Sequence, residues 1–174
     1  MHKTTKKRIV LAAFAVCMIS TAQAQIRTVA VNVTLADVIG VSPTTPAGAN
    51  VVNFTYNTAA HYNADQTQEI TDQLRVTSTK AYNITVNGTT DFVPGTGTAL
   101  DLSILRLAAR TTGAPSFGAE ITPVKASETT LVSNSPATLD QGFDVQYKIP
   151  QNASLLTAAK TTYTATIVFT ATAI

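Results

Sequence analysis

The end of the chain alternates apolar and polar side chains without a break. Within residues 163–173 the odd-numbered positions are tyrosine, alanine, isoleucine or phenylalanine, and the even-numbered positions are threonine with one valine. Successive side chains of a strand point to opposite faces, so this pattern predicts one long strand with a single apolar face. The largest side chains on that face, and therefore its predicted contacts with the core, are Tyr163, Ile167 and Phe169.

A second alternating stretch covers residues 26–35. Its apolar positions are Val29, Val31, Val33 and Leu35, separated by alanine, asparagine and threonine. The pattern predicts a strand, for which two partners are possible. It can pair within its own domain, as strands usually do, or it can add to an exposed sheet edge of another copy. In the second case the same four residues are the candidate donor-strand anchors.

Further strands are predicted in the middle of the chain, and no long helix accompanies them. Residues 100–110 fit either a helical face or a strand, and we favour a strand because the neighbouring segments all alternate. The dipeptide Asn87-Gly88 predicts a tight turn, with residues 91–93 completing a hairpin. The other predicted strands cover residues 51–56, 74–79, 82–86 and 139–149, with weaker ones at 119–124 and 129–132.

About eight to ten strands separated by turn signals indicate an all-β fold. Each apolar strand face needs a second sheet to cover it, which predicts a single immunoglobulin-like β-sandwich. A closed barrel is the alternative solution to the same requirement.

The first 24 residues predict a secretory signal peptide. Four basic residues precede an apolar run from Ile9 to Ile19, and Ala22-Gln-Ala24 supplies a small-residue cleavage site. The run is shorter than the roughly 20 residues that a membrane-spanning helix needs. We therefore expect a folded domain over residues 25–174 that is not transmembrane and is exported to the cell surface or medium, with the periplasm as a further possible destination.

Removal of that peptide changes both charge and redox chemistry. Four of the 12 basic residues would be lost, leaving eight against ten acidic residues, a net charge of −2. Without a basic run or stripe, nucleic-acid binding is not expected. Cys17 is the only cysteine, so the exported domain is expected to contain no disulfide.

Catalytic motifs are absent from the predicted domain. His61 is its only histidine, and Asp65, Glu69 and Asp72 lack the spacing of a calcium-binding loop. We therefore predict no enzyme activity, no catalytic residue, no metal site and no cofactor. Other carboxylates, including Asp144, sit beside predicted strands, where they can protect sheet edges from wrong pairing.

Aromatic side chains leave one binding function open. Tyr62, Phe92 and Phe117 fall in predicted loops or at strand ends, where exposed rings can stack on sugars. A carbohydrate platform is therefore an alternative, although the chain has no tryptophan.

The closing sequence Thr161-Thr-Tyr-Thr-Ala-Thr-Ile-Val-Phe-Thr170 resembles the last strand of spore-coat-U-like and pilin-like subunits, which are small secreted bacterial β-sandwich proteins. That resemblance implies fibre formation by strand donation, in which an N-terminal extension fills the groove of a neighbour. The sequence is similar too to the closing strand of WxL-type cell-wall-binding domains, but it has no Trp-x-Leu signature. The expected function is a structural or adhesive surface protein that binds copies of itself or other surface proteins; the alternative is a module that binds peptidoglycan or another glycan.

Overall fold

The computed structural model describes residues 32–43 and 51–174 of the 174-residue chain. The chain divides into two compact units, Met1–Thr34 and Leu35–Ile174, and every described helix and strand belongs to the second unit. The predicted signal peptide and the candidate anchors Val29 and Val31 lie outside the described residues.

The second unit is built from short and long strands with little helix, which confirms the predicted all-β class. Its two α-helices have four residues each, and in the described ranges no helix has the length and apolarity needed to cross a membrane. The strands are β1 (Ile39–Pro43), β2 (Gln66–Ser78), β3 (Tyr82–Gly88), β4 (Val93–Pro94), β5 (Arg106–Thr111), β6 (Thr129–Ser135), β7 (Thr138–Ile149), β8 (Tyr163–Thr164) and β9 (Ile167–Ala173); the helices are α1 (Ala59–Tyr62) and α2 (Ser154–Thr157).

Three antiparallel sheets arrange these strands. The larger sheet has the order β1-β2-β7-β5, the second has the order β6-β3-β9, and β4 pairs only with β8. Strands β2 and β7 run side by side from Gln66 opposite Ile149 to Ser78 opposite Thr138, so they form the centre of the larger sheet. Strands β1 and β5 are its edges, and β6 and β9 are the edges of the second sheet.

One hydrophobic core is shared by the two larger sheets. Every second side chain of β3 is buried, as predicted, and the same alternation holds in β7 from Val145 to Ile149, whereas residues 142–145 are all buried. Apolar side chains from both sheets are buried together in this core. The most deeply buried of these side chains are Val76, Tyr82, Ile84, Val86, Leu107, Phe143 and Val145.

A polar network on the other face of the larger sheet holds a bulge in β2. The register of β2 against β7 shifts between Ile70 and Leu74, and Asp72 adopts a left-handed backbone conformation there with φ of 53°. The Asp72 backbone N–H donates a 2.8 Å hydrogen bond to Oδ1 of Asp144, whose side chain is 2 % exposed. The bulge therefore turns a backbone donor toward a buried charge, which a regular ladder would not do.

Asp144 has two further partners on β5 and just beyond it. Nε of Arg110 donates to its Oδ2 at 2.9 Å, and Oγ1 of Thr112 donates to its Oδ1 at 2.8 Å. Burial alone would raise the pKa of Asp144, but these hydrogen bonds and the charge of Arg110 lower it below its ordinary value. The expectation that Asp144 protects a sheet edge was wrong, because β7 is a central strand and the carboxylate instead joins three segments of the sheet.

Gly142 makes room for this network. A Cβ at Gly142 would overlap the carboxylate of Asp72 and lie 2.9 Å from Oγ1 of Thr112. Gly142 lies opposite Arg75 of β2, close to the bulged segment of that strand.

Several predicted strands differ in extent. The closing stretch is two strands, β8 and β9, and residues 165–166 between them belong to neither. Of its apolar side chains, Ala165, Ile167 and Phe169 pack against the core. Residues 100–110 combine a 3-10 turn at Leu102–Ile104 with β5, so the strand interpretation was correct for the second half only. The hairpin predicted at Asn87-Gly88 was wrong, because β3 pairs with β6 and β9 instead.

The N-terminal stretch is described only from residue 32 onward. Residues 32–38 belong to no strand, and the exposed fractions of Val33 and Leu35 are 74 % and 88 %. The first strand, β1, begins at Ile39 and pairs with β2, so the described part of the predicted 26–35 strand, residues 32–35, lies outside every ladder.

The Asp144 network predicts a loss of stability in acid. A carboxylate whose pKa is lowered by folding stabilises the fold above its ordinary pKa of about 4, and this contribution disappears as the pH falls through the folded-state value. Replacing Asp144→Asn should cost roughly 2–4 kcal/mol of unfolding free energy at neutral pH, and it should flatten the decline of that free energy as the pH falls below about 4. Urea unfolding followed by circular dichroism measures both quantities.

The matched control for this prediction is Asp140→Asn on the same strand. Asp140 pairs with Arg75 at the surface, where its side chain is 60 % exposed, so its loss should cost less than about 1 kcal/mol. Equal effects of the two substitutions would contradict the role assigned to Asp144.

Candidate functional site: an open groove beside β9

The two larger sheets do not cover each other equally on all sides. The inward side chains of β3 are fully buried, whereas those of its neighbour β9, Ile167, Phe169 and Ala171, are only half-buried. At the edge of the other sheet, Ile39 and Val41 of β1 are half-buried too. The core is therefore closed in the middle and open on the side where β1 approaches β9.

This opening is a groove with walls from both sheets. One wall is formed by Val41 of β1 and Leu74 of β2, and the other by β8, β9 and the residues between them. Its floor carries a polar pair, because the Tyr147 hydroxyl donates a 3.0 Å hydrogen bond to Oε1 of buried Gln73. Burial raises the pKa of Tyr147 to about 12, although the hydrogen bond that its hydroxyl donates to Gln73 acts in the opposite direction. The floor is thus neutral and largely apolar over the physiological pH range.

Residues 51–57, which we call the groove segment, lie in this opening. Side chains alternate along the segment, with Val52, Phe54 and Tyr56 half-buried against the core and the residues between them exposed. This is the face predicted from the sequence, but the segment belongs to no strand. It has the side-chain pattern of a strand without the hydrogen-bonded ladder.

Two cavities adjoin the groove segment. One, of about 580 Å³, lies toward β1 and β9, and the other, of about 620 Å³, lies toward α2 and the 3-10 turn. Val52, Phe54, Phe92 and Tyr163 line both. The groove segment therefore does not fill the groove. Space of this size is unusual, because protein interiors normally leave few voids larger than a water molecule.

Aromatic side chains surround the far end of the groove segment. The rings of Tyr56 and Tyr62 lie 5.2 Å apart, and Nζ of Lys160 lies 5.2 Å from the centre of the Tyr62 ring. Burial, together with the negative charge of Asp65, raises the pKa of Tyr56 to about 12. The Tyr56 hydroxyl is buried and forms no hydrogen bond with the described residues.

The sequence-predicted core face of the closing strand lies in this groove. Tyr163, Ile167 and Phe169 all line the first cavity, so the structure brings these three residues together at one site. Of the candidate donor anchors, Val33 and Leu35 are exposed and unpaired, and the other two lie outside the described residues. Sequence reasoning missed the polar floor, because nothing in the spacing of Gln73 and Tyr147 indicates that they meet.

Other candidate residues are dispersed. His61 lies in α1, where its Nδ1 accepts from the Asn57 backbone N–H. Asp65 forms an ion pair with Lys148, and Glu69 lies near Arg110. The Phe117 ring stacks on the Arg110 guanidinium, with 4.3 Å from Cζ of Arg110 to the ring centre, and it lines neither cavity. Within residues 32–43 and 51–174, no group of three or more histidine, cysteine or carboxylate side chains is placed to hold a metal ion.

Comparison of the chain with protein-family models, with curated proteins and with solved structures found no match to any of them.

The position of Tyr56 predicts an unusual titration. If the ring is seated in the groove, Tyr56→Phe should remove one tyrosinate that forms near pH 12, and not one that forms near the ordinary value of about 10. The difference in ultraviolet absorbance between the parent protein and the variant during alkaline titration measures this, with circular dichroism recording whether the fold persists. A lost component near pH 10 would place Tyr56 in solvent.

Proposed function

We propose that this chain is an exported, non-enzymatic structural or adhesive protein of the cell surface or extracellular matrix. Its domain is an immunoglobulin-like sandwich that acts as a fibre subunit by accepting a strand from another copy. The single observation that carries this proposal is the state of β9, whose outer edge has no described partner strand and whose core-facing side chains are only half covered.

The acceptor side of the proposal follows from backbone chemistry. An edge strand presents unpaired N–H and C=O groups, which a strand from another chain can satisfy. Beside β9 the groove also offers apolar surface from Leu74, Ile167 and Phe169, on which alternate side chains of an added strand can pack. Main-chain bonds would supply affinity, and the alternate side chains would set the register.

The donor side of the proposal rests on the N-terminal stretch. Val29, Val31, Val33 and Leu35 present one apolar face at a spacing of two, and the described members of that set are exposed. A large apolar side chain that remains in solvent gives up the free energy of burial, about 1.5–3 kcal/mol for a valine or leucine. Insertion into the groove of a neighbour would recover it.

A second candidate function is the binding of a glycan chain, including peptidoglycan. The observation that favours it is the row of rings along the second cavity, where Tyr62, Phe92 and Tyr163 lie with Lys160 beside them. Rings with adjacent polar groups can stack on sugars while hydrogen bonding to their hydroxyls.

Strand donation predicts that assembly depends on one face of residues 29–35. The exported chain, residues 25–174, should form polymers that sediment rapidly and appear as fibres by negative-stain microscopy. Deleting residues 25–36 should abolish them. Val31→Lys with Val33→Lys should raise the concentration needed for assembly by at least about tenfold, because two charges would enter an apolar groove.

The control places the same charges on the opposite face. Asn32→Lys with Thr34→Lys adds equal charge to the same segment and should leave assembly within about threefold of the parent, because these side chains would point away from the groove. A parent chain that remains monomeric at high concentration, or equal loss in both double variants, would refute intrinsic strand donation.

Glycan binding predicts retention on purified peptidoglycan or polysaccharide. Tyr62→Ala should reduce retention about tenfold, since one stacked ring typically contributes on the order of 1–2 kcal/mol, whereas Phe117→Ala should not. Absence of retention by the parent protein would exclude this second candidate.

A further inference from the structure

The groove segment has the outward features of an inserted strand. Its core-facing residues Val52, Phe54 and Tyr56 alternate with exposed residues, which is the period of an extended chain lying against a core. It also occupies the space between the floor of the groove and the wall formed by β8 and β9. A strand supplied by another copy would need this same space for its own apolar side chains.

The groove segment lacks the interactions that hold a strand in a sheet. Within the described chain, the backbone of residues 51–55 forms no hydrogen bond. Hydrogen bonds begin only at its end, where the Tyr62 hydroxyl donates to the Tyr56 carbonyl at 3.3 Å and the Asn57 N–H donates to His61 at 3.4 Å. The segment is therefore held mainly by the burial of three side chains.

That burial is also incomplete. Phe54 borders both cavities, and side chains that face a void lose the dispersion contacts that a filled core would give. The edge of β9 gains nothing from the segment, because its backbone groups on that side form no ladder with it. An occupant that hydrogen bonds to β9 and fills the groove would bind there more favourably.

We propose that residues 51–57 are an internal, displaceable occupant of the acceptor groove, which the N-terminal strand of a second copy must replace during assembly. This inference rests on the strand-donation function proposed above and adds its regulation. In the free chain the segment shields the apolar groove from solvent and from wrong partners. Assembly then proceeds by exchange of the segment for the donor strand. The apparent affinity for a donor strand equals the intrinsic affinity multiplied by the fraction of chains whose groove is empty.

A tryptophan reporter can test displacement, because the chain has no native tryptophan. Phe54→Trp places the reporter in the groove, where the adjoining cavities leave room for the larger ring, and Thr55→Trp places it on the exposed side of the same segment. The probe is a synthetic peptide of residues 26–36, with a Val31→Lys, Val33→Lys peptide as its control. It is added in excess to residues 25–174 that themselves carry Val31→Lys and Val33→Lys, so that the protein's own N-terminal stretch does not fill the groove of a neighbour. Anisotropy of labelled peptide reports binding separately.

If the inference is correct, peptide binding shifts the Phe54→Trp emission to longer wavelength as the side chain leaves the groove. The Thr55→Trp emission should hardly move, and the control peptide should have no effect. Loosening the occupant by Val52→Ser with Phe54→Ser should tighten apparent peptide binding by at least about tenfold, whereas Asn53→Ser with Thr55→Ser should not.

The outcomes separate this inference from the function on which it rests. Peptide binding without an emission shift overturns the displacement inference and leaves strand donation standing. Binding only to the Val52→Ser, Phe54→Ser variant supports displacement, with a tightly held occupant in the parent. Absence of binding to both the parent and that variant overturns strand donation and displacement together.

Discussion

Burial of alternating apolar faces is the constraint on which this structure depends. Tyr82, Ile84 and Val86 of β3 share one buried cluster with Phe143 and Val145 of β7, and these side chains are almost entirely removed from water. A sheet with one apolar face is stable only when another layer covers it. At the centre of the molecule, apolar side chains of both larger sheets are buried in one core. Toward β9 the burial of apolar side chains is incomplete, and Phe169 is only half-buried.

The polar network around Asp144 shows how the larger sheet tolerates a charge in its central strand. The carboxylate has lost nearly all contact with water, so it remains ionised only because a backbone N–H, Arg110 and Thr112 all donate to it. The bulge at Asp72 supplies one of these donors, and the absence of a side chain at Gly142 leaves room for the Asp72 carboxylate. Several hydrogen bonds thus hold the polar face of this sheet in place, whereas the backbone of residues 51–55 in the groove forms none with the described chain.

The difference between the hydrogen-bonded larger sheet and the weakly held groove segment suits the proposed assembly. A fibre subunit needs a stable core, so that exchange of one strand does not unfold it, and it needs a site where an occupant can be replaced. The β2–β7 pair and the core beneath it meet the first requirement. The groove segment, which buries Val52, Phe54 and Tyr56 but lacks backbone hydrogen bonds over most of its length, meets the second. Side-chain burial without a ladder is an intermediate degree of attachment, stronger than a free loop and weaker than a strand.

The sequence by itself determined which side chains face inward. The period of two at residues 82–86 and 145–149 predicted the buried faces correctly, because side-chain direction in an extended chain follows from local geometry. The alternating residues Val52, Phe54 and Tyr56, and likewise Ile167 and Phe169, pack against the core. Tertiary structure alone decided which of these segments are paired. Hydrogen bonding between strands depends on partners distant in sequence, so residues 51–56 and β9 carry similar patterns, yet only β9 joins a sheet. The same reason explains why the sequence could not place Asp144 in a central strand or reveal a groove beside β9. Both are properties of strand order, which alternation does not encode.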